Sequence, residues 1–284
     1  MKVASEVTRA EDALVRTALE AQATFMPDVR ADTGPAGKGW MTAEDFFAND
    51  LTLGEFLAFE QSLHEGTDLR TAAALLMADY SYIFAGACIP LFAGFGLVPR
   101  LAARSIALAF YTAEDTHEGV VNRMRRAHVR FLDDAFYPGN LDDSEDAERL
   151  RLEIESHFHP VIEAIHRRTH LSKAALWRLI ADAIAGRFLE SGRRFGNVET
   201  AKAAAMRIVK VSGSPLFNRQ LHYFDLTVLD KNQQDFSYTF RQRGGCCRYY
   251  LIEPGHYCPT CVLKKPDERD EELRFAMRQH LGVA

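Results

Sequence analysis

The sequence predicts an α+β fold: a predominantly helical N-terminal portion, a small antiparallel β-sheet that carries a cysteine motif, and a C-terminal helix. Three observations predict it. Apolar residues recur at helical spacing over most of the chain up to Pro215. The pattern then changes to short runs rich in β-branched and aromatic residues, His222 to Leu229 and Phe236 to Arg243, flanking the turn residues Asp230-Lys231-Asn232-Gln233. Beyond them, Asp267 to Leu281 is a charged amphipathic stretch. The change of period divides the chain into a helical domain, residues 1–215, and a small β-containing domain, residues 216–284.

The elements follow in order from their boundary signals. Thr8 with Glu11 forms a capping box that opens an amphipathic helix to about Ala23. A Gly-, Pro- and Asp-rich loop spans Pro27 to Gly39, Thr42 caps a short helix, and Thr52 starts another through Phe56, Phe59 and Leu63. Asp68 precedes an apolar helix containing Leu75, Leu76 and Met77. From Tyr80 to Pro99 the chain carries no charge, a run long enough to span a membrane. That run also holds Gly86, Pro90, Gly94, Gly96 and Pro99, so it reads as a buried helix, a turn at the Gly-Pro cluster and a second helix. At most a peripheral membrane association is expected. Leu101 to Tyr111 continues as helix, and Asp115 to Leu132, with Arg123, Arg125, Arg126 and Arg130, reads as a solvated helix face.

Ser144 caps a long helix in which His159, Glu163, His166 and His170 fall on one face. Histidines so spaced suit a metal, but Pro160 interrupts the helix nearby and no Glu follows the first histidine as in hydrolytic zinc motifs. A polar or packing face is the expectation. Ser172 caps a helix with Leu176, Trp177, Ile180 and Ile184 on one side, and Asn197 caps an Ala-rich helix to about Lys210. After the hairpin, Arg248 to Glu253 reads as a third strand.

Composition narrows the function. The chain of 284 residues is 47% hydrophobic and 26% charged, with a net charge of −5, a balance that does not suit generic nucleic-acid binding. The polar first residues lack the apolar stretch of a secretory signal, so a cytoplasmic location is expected, where thiols stay reduced. Four of the five cysteines, Cys246, Cys247, Cys258 and Cys261, lie close together in one short segment, while Cys88 sits alone in the apolar run.

Three uses of four thiols compete. A structural zinc site usually takes two Cys-x-x-Cys knuckles. Adjacent Cys246 and Cys247 in a strand would point to opposite faces, so one ion requires a kink, which Gly244-Gly245 can supply. A dithiol redox centre suits Cys258-Pro259-Thr260-Cys261, but a thioredoxin-like strand–motif–helix context is missing. A [2Fe–2S] cluster takes two thiolates on each iron and accepts ligands from a wider arc. Spacing alone leaves zinc and iron–sulfur open. From Arg241 to Lys265 the local charge is +4, which suits the roughly −2 charge of an oxidised cluster with four thiolates, and suits a solvated basic rim as well.

Arg-Gly-Gly-Cys-Cys-x-Tyr-Tyr, ten intervening residues between the second and third cysteines, and Cys-x-x-Cys closely resemble the C-terminal signature of FhuF-type ferric siderophore reductases. A weaker resemblance covers His157 to Ile165 and Leu176-Trp177, similar to the helical region of that family and to the C-terminal domain of related siderophore synthetases. Together the likenesses reach from about Tyr80 to Lys264. The resemblance implies a [2Fe–2S] cluster on Cys246, Cys247, Cys258 and Cys261, and an oxidoreductase passing one electron to siderophore-bound iron(III), of hydroxamate type. It also implies a separate electron-donor protein and iron(II) release in the cytoplasm. On that reading the helical domain is a docking platform, and Arg243, Arg248, Tyr249 and Tyr250 are docking candidates by proximity. The alternative is a zinc-stabilised four-cysteine binding module without redox activity, with a membrane-transport accessory as a third.

Overall fold

A computed structural model describes residues 9–117, 120–133, 135–253 and 255–283. At its centre is helix α4, Leu69–Phe95, a continuous helix of 27 residues. The Asp68 side chain caps it, accepting from the Thr71 N–H at 2.6 Å, and Gly96 ends it in the left-handed region at φ 61°. The expected turn within Tyr80 to Pro99 is absent. Gly86 and Gly94 provide close approach instead: a Cβ on Gly86 would stand 3.0 Å from Met26 Cε, and one on Gly94 would stand 2.6 Å from the Phe195 ring. Pro90 stays within the helix. A helix apolar on all sides must be packed on all sides, and 78% of its most apolar window is buried although its length would also cross a membrane.

Against α4 pack α1 (Asp12–Phe25), α3 (Asp50–Leu63), α5 (Ser144–Thr169) and α6 (Lys173–Phe195), while α2 (Ala43–Ala48) reaches it through Phe47 on Tyr80 and α7 (Val198–Val209) packs on α6 and α5. Thr42 caps α2 as its sequence suggests, whereas Asn49, not Thr52, caps α3, and Asp143, not Ser144, caps α5. Ser172 accepts from Ala175 N–H at the start of α6. Asn197 stands at the start of α7 without capping it; its Nδ2 donates to Ala93 O at 2.9 Å. Thr8 lies outside the described residues.

A four-stranded sheet replaces the helices expected over residues 101–132. Strands β4 (Ile106–His117) and β5 (Val120–Phe131) pair antiparallel, with β1 (Ala31–Thr33) parallel to β5 and β2 (Met41–Thr42) antiparallel to β4. The physical reason is a period of two: Ala127, Val129 and Phe131 point into the core while Arg126 and Arg130 alternate with them. The arginines are partnered rather than merely solvated. Arg126 contacts Asp28 at 2.9 Å, Arg130 contacts Asp32 at 2.7 Å and stacks on Trp40, and Arg125 lies over Phe56 and Phe59. Two short strands, β3 (Leu97–Pro99) and β6 (Phe136–Pro138), pair beside this sheet.

The C-terminal part is a hairpin of β7 (His222–Leu229) and β8 (Asp235–Gln242), covered by helix α8 (Pro266–Leu281). Leu226, Val228, Leu273 and Met277 make a small core of their own. Among the described residues no third strand follows. Arg248 at φ 64° turns the chain into a single 3-10 turn at Tyr249–Leu251.

Candidate metal centre

The site grows from the end of β8. There the chain leaves the hairpin at Arg243 and is caught by the buried carboxylate of Asp182 on α6. Gly244 N–H donates to one carboxylate oxygen and Gly245 N–H to the other, each at 2.8 Å. Both positions require glycine: a Cβ on Gly245 would meet the Arg178 carbonyl carbon at 2.9 Å, and one on Gly244 would overlap the Asn218 amide. The Asn218 carboxamide oxygen in turn accepts from Gln220 and Leu221 N–H groups at 3.2 Å, so that wall is itself fixed. Cys246 and Cys247 follow at once.

Beyond them Arg248 ties the loop to α4. Its Nε donates to Thr71 Oγ1 at 3.0 Å and its guanidinium pairs with Asp68 at 3.1 Å, the residue that caps that helix. The left-handed backbone of Arg248 also aims its N–H at Cys246 Sγ, 3.4 Å away. Tyr249 packs edge-on between His64 and His256, and the Tyr250 ring lies 5.0 Å from that of Tyr257.

The second arm returns to the same strand. Arg243 N–H donates to Thr260 O at 3.1 Å, and Gln242 Nε2 to Cys261 O at 3.3 Å. Cys261 N–H donates to Cys258 O at 3.0 Å, closing the Cys-x-x-Cys turn. Arg269 of α8 donates to the Gln242 side chain and so braces this arm from behind. All four cysteines are free thiols; Cys261 is buried, while Cys246, Cys247 and Cys258 are half-buried. Cys88 is buried in α4, within the main core.

Sulfur atoms of Cys247 and Cys258 stand 3.8 Å apart. Arg243 Nη1 donates to Cys258 Sγ at 3.1 Å and approaches Cys247 Sγ at 3.9 Å. The hydrogen bond with Cys258 and the Arg243 charge push the Cys247 thiol down to about 5 against its burial, and the same sulfur contact pushes Cys258 up. The pair therefore loses one proton readily, as a metal ligand must. Burial pushes Cys246 up. Burial also works against the Arg243 charge, but Cys247, Asp182 and Cys258 outweigh it. Arg241, half-buried, donates to the Asp182 carbonyl, and burial pushes the Asp182 carboxyl up against the pull of Arg241, Arg243 and the two glycine N–H groups.

This donor set fits an iron–sulfur cluster. Two loops bring the four thiols to one end of β8, where the Cys247 and Cys258 sulfurs meet under the half-buried Arg243 guanidinium, with excess positive charge behind. Among the described residues, no three Cys, His, Asp or Glu side chains converge on a single-ion position. Two thiolates per iron is a demand that the contacting Cys247 and Cys258 sulfurs meet. Residues 243–263 match the family model of the FhuF 2Fe-2S C-terminal domain. Over that segment the chain is similar to an FhuF-type [2Fe–2S] domain. The match takes in all four thiols and the Arg243 that touches two of them. No curated protein matches the chain.

Of the docking candidates near the FhuF-type motif, Arg243 faces the thiols and Arg248 is spent on Thr71 and Asp68. Tyr249 is packed between two histidines, and Tyr250 is exposed. The histidine face of α5 is structural: His166 Nδ1 bonds Leu171 O at 2.8 Å, and His170 is the left-handed C-cap. His159 packs edge-on against Trp177. Sequence reasoning missed Asp182 and Asn218, whose signal is only a lone Asp within an otherwise apolar helix face and an Asn just before the hairpin.

Proposed function

We propose that the protein is a ferric-siderophore reductase of the cytoplasm. The match of residues 243–263 to an FhuF [2Fe–2S] domain carries this reading. Cys246, Cys247, Cys258 and Cys261 would hold the cluster, which would supply one-electron chemistry toward iron(III) held by a siderophore of hydroxamate type, the electron coming from a separate donor protein. Iron(III) is held by hard oxygen donors; the larger, less charged iron(II) is held less tightly and is released.

The chain's own residues hold and orient. Asp182 and the Gly244-Gly245 pair set the height of Cys246 and Cys247 above α6, and Arg248 fixes the loop to α4. Two surface features lie next to the thiols. One is an apolar rim of exposed Tyr250, Leu251, Tyr257 and Leu263. The other is a groove of about 800 Å³ whose lining includes Val262, next in the chain to Cys261, Gln242, which donates to the Cys261 carbonyl, and the basic Arg178, Arg219, Lys264 and Arg269. A groove of that volume suits a chelate of siderophore size, and the rim leaves a second approach for an electron donor.

Anaerobically reconstituted protein is expected to show visible charge-transfer absorption that bleaches with a one-electron reductant and returns on adding a ferric hydroxamate. Either Cys246→Ala or Cys247→Ala, which leaves no ligating atom at its position, abolishes the colour. A colourless protein carrying one zinc per chain refutes the cluster; a coloured protein whose reduced form ignores ferric chelates refutes the substrate.

A further inference from the structure

Neighbours in sequence suggest that Cys246 and Cys247 share one iron and that Cys258 and Cys261 share the other. The geometry points to the opposite pairing. We infer that Cys247 and Cys258 are the two thiolates of one iron, that Cys246 and Cys261 serve the second, and that Arg243 makes the Cys247/Cys258 iron the one that takes the electron.

The sulfur separation is the first support. A tetrahedral metal with metal–sulfur bonds of about 2.3 Å sets two of its thiolates roughly 3.8 Å apart. Cys247 and Cys258 stand at 3.8 Å although they belong to different arms. The Arg248 N–H holds Cys246 Sγ at 3.4 Å, and with Cys247 and Cys258 taken by one iron, Cys246 and Cys261 remain for the other.

Asymmetry is the second support. The Arg243 guanidinium touches Cys258 and Cys247, and it is held there by Asp182, 3.6 Å from its Nε, and by its own backbone bond to Thr260. Hydrogen bonds and positive charge at ligating sulfurs favour the reduced metal. One electron from dithionite converts the diferric protein to a ferrous–ferric one, and the ferrous charge settles where a cation already stands. Arg243 is thus a positioning residue that acts through two thiolates.

The inference rests on the cluster and not on its substrate, so it stands or falls without any siderophore. Each cysteine is changed to serine, and Mössbauer spectra of the isotope-enriched, dithionite-reduced protein are compared. Cys247→Ser and Cys258→Ser are expected to alter the ferrous signal, and Cys246→Ser and Cys261→Ser the ferric one. If Cys246→Ser and Cys247→Ser alter the same iron, the pairing is overturned. Where a serine variant does not assemble, Arg243→Gln and Arg243→Lys, which keep all four thiols, decide the matter. Arg243→Gln is expected to be at least tenfold harder to reduce, about 59 mV for a one-electron couple, with its change confined to the ferrous signal. Arg243→Lys retains most of the potential. An unchanged potential in Arg243→Gln, or a change at the ferric site, overturns the proposal.

Discussion

Replacing Asp182 by alanine tests how the metal-binding loop is held. The buried carboxylate accepts two backbone N–H groups at 2.8 Å and stands beside Arg243 and Arg241. Each buried N–H left without an acceptor costs about 1–3 kcal/mol. Removing one partner of a buried ion pair costs about 3–5 kcal/mol, because the other charge stays behind. These losses overlap in one network, so about 4 kcal/mol is expected in total, a large share of the roughly 5–15 kcal/mol that holds a domain together. At about 2–4 °C per kcal/mol for a chain of this size, the melting temperature falls by roughly 10 °C. Cluster content falls too, since Cys246 and Cys247 follow directly on the freed glycines. Differential scanning fluorimetry gives the first number, and iron per chain with the visible absorption gives the second. Asp182→Asn keeps an acceptor for one glycine but loses the charge, so it should lie between parent and alanine variant. An Asp182→Ala protein with parental melting temperature and full iron content would show that the loop is held by something else.

Other outcomes follow from the same contacts. Gly245→Ala places a methyl 2.9 Å from the Arg178 carbonyl carbon, which is helix backbone and cannot yield, so iron content after anaerobic reconstitution should drop sharply. Cys88→Ala leaves the visible spectrum unchanged and costs only about 1 kcal/mol in denaturant titration, since its buried thiol is part of the core and not of the centre. Tyr80→Phe removes the 2.6 Å hydrogen bond to His157 Nε2, whose Nδ1 is already committed to Leu101 O; burial holds that histidine neutral, with its pKa near 3, and the loss should be about 1–2 kcal/mol without a spectral change. Glu60 is pushed up to about 9 by burial and by Asp79, so it is protonated in the folded state at neutral pH. Its contribution is complete below its unfolded value of 4.5 and is lost as pH rises toward 9. Glu60→Gln should therefore stabilise progressively from pH 5 to pH 8, by up to about 3 kcal/mol at pH 7; a difference that does not change with pH refutes this.

Local chemistry was legible where it is self-contained. Thr42, Asp68 and Ser172 cap helices through bonds within three residues of themselves, and each was visible in the sequence. So was the hairpin of β7 and β8, where alternation and turn residues lie side by side. Residues 101–132 misled because arginine-rich stretches suggest a wet helix face, while the alternation of Ala127, Val129 and Phe131 with Arg126, His128 and Arg130 is a strand pattern. Those arginines are accommodated by Asp28, Asp32 and Trp40, nearly a hundred positions away along the chain. Gly86, Pro90 and Gly94 likewise suggest a turn until Met26 and Phe195 are seen packed against them.

By itself the sequence determined the motif: four thiols in the short segment from Cys246 to Cys261, two of them adjacent, with glycines before and a Cys-x-x-Cys after. Thiol chemistry and spacing are properties of a short segment and survive without a fold. Only the tertiary structure decided which thiols meet, what holds them and what charge they feel. Asp182 reaches Gly244 and Gly245 across 62 and 63 positions, and Arg248 reaches Asp68 across 180. Contacts of that separation leave no periodic trace in the chain, because nothing but the packing of α6 and α4 brings their ends together.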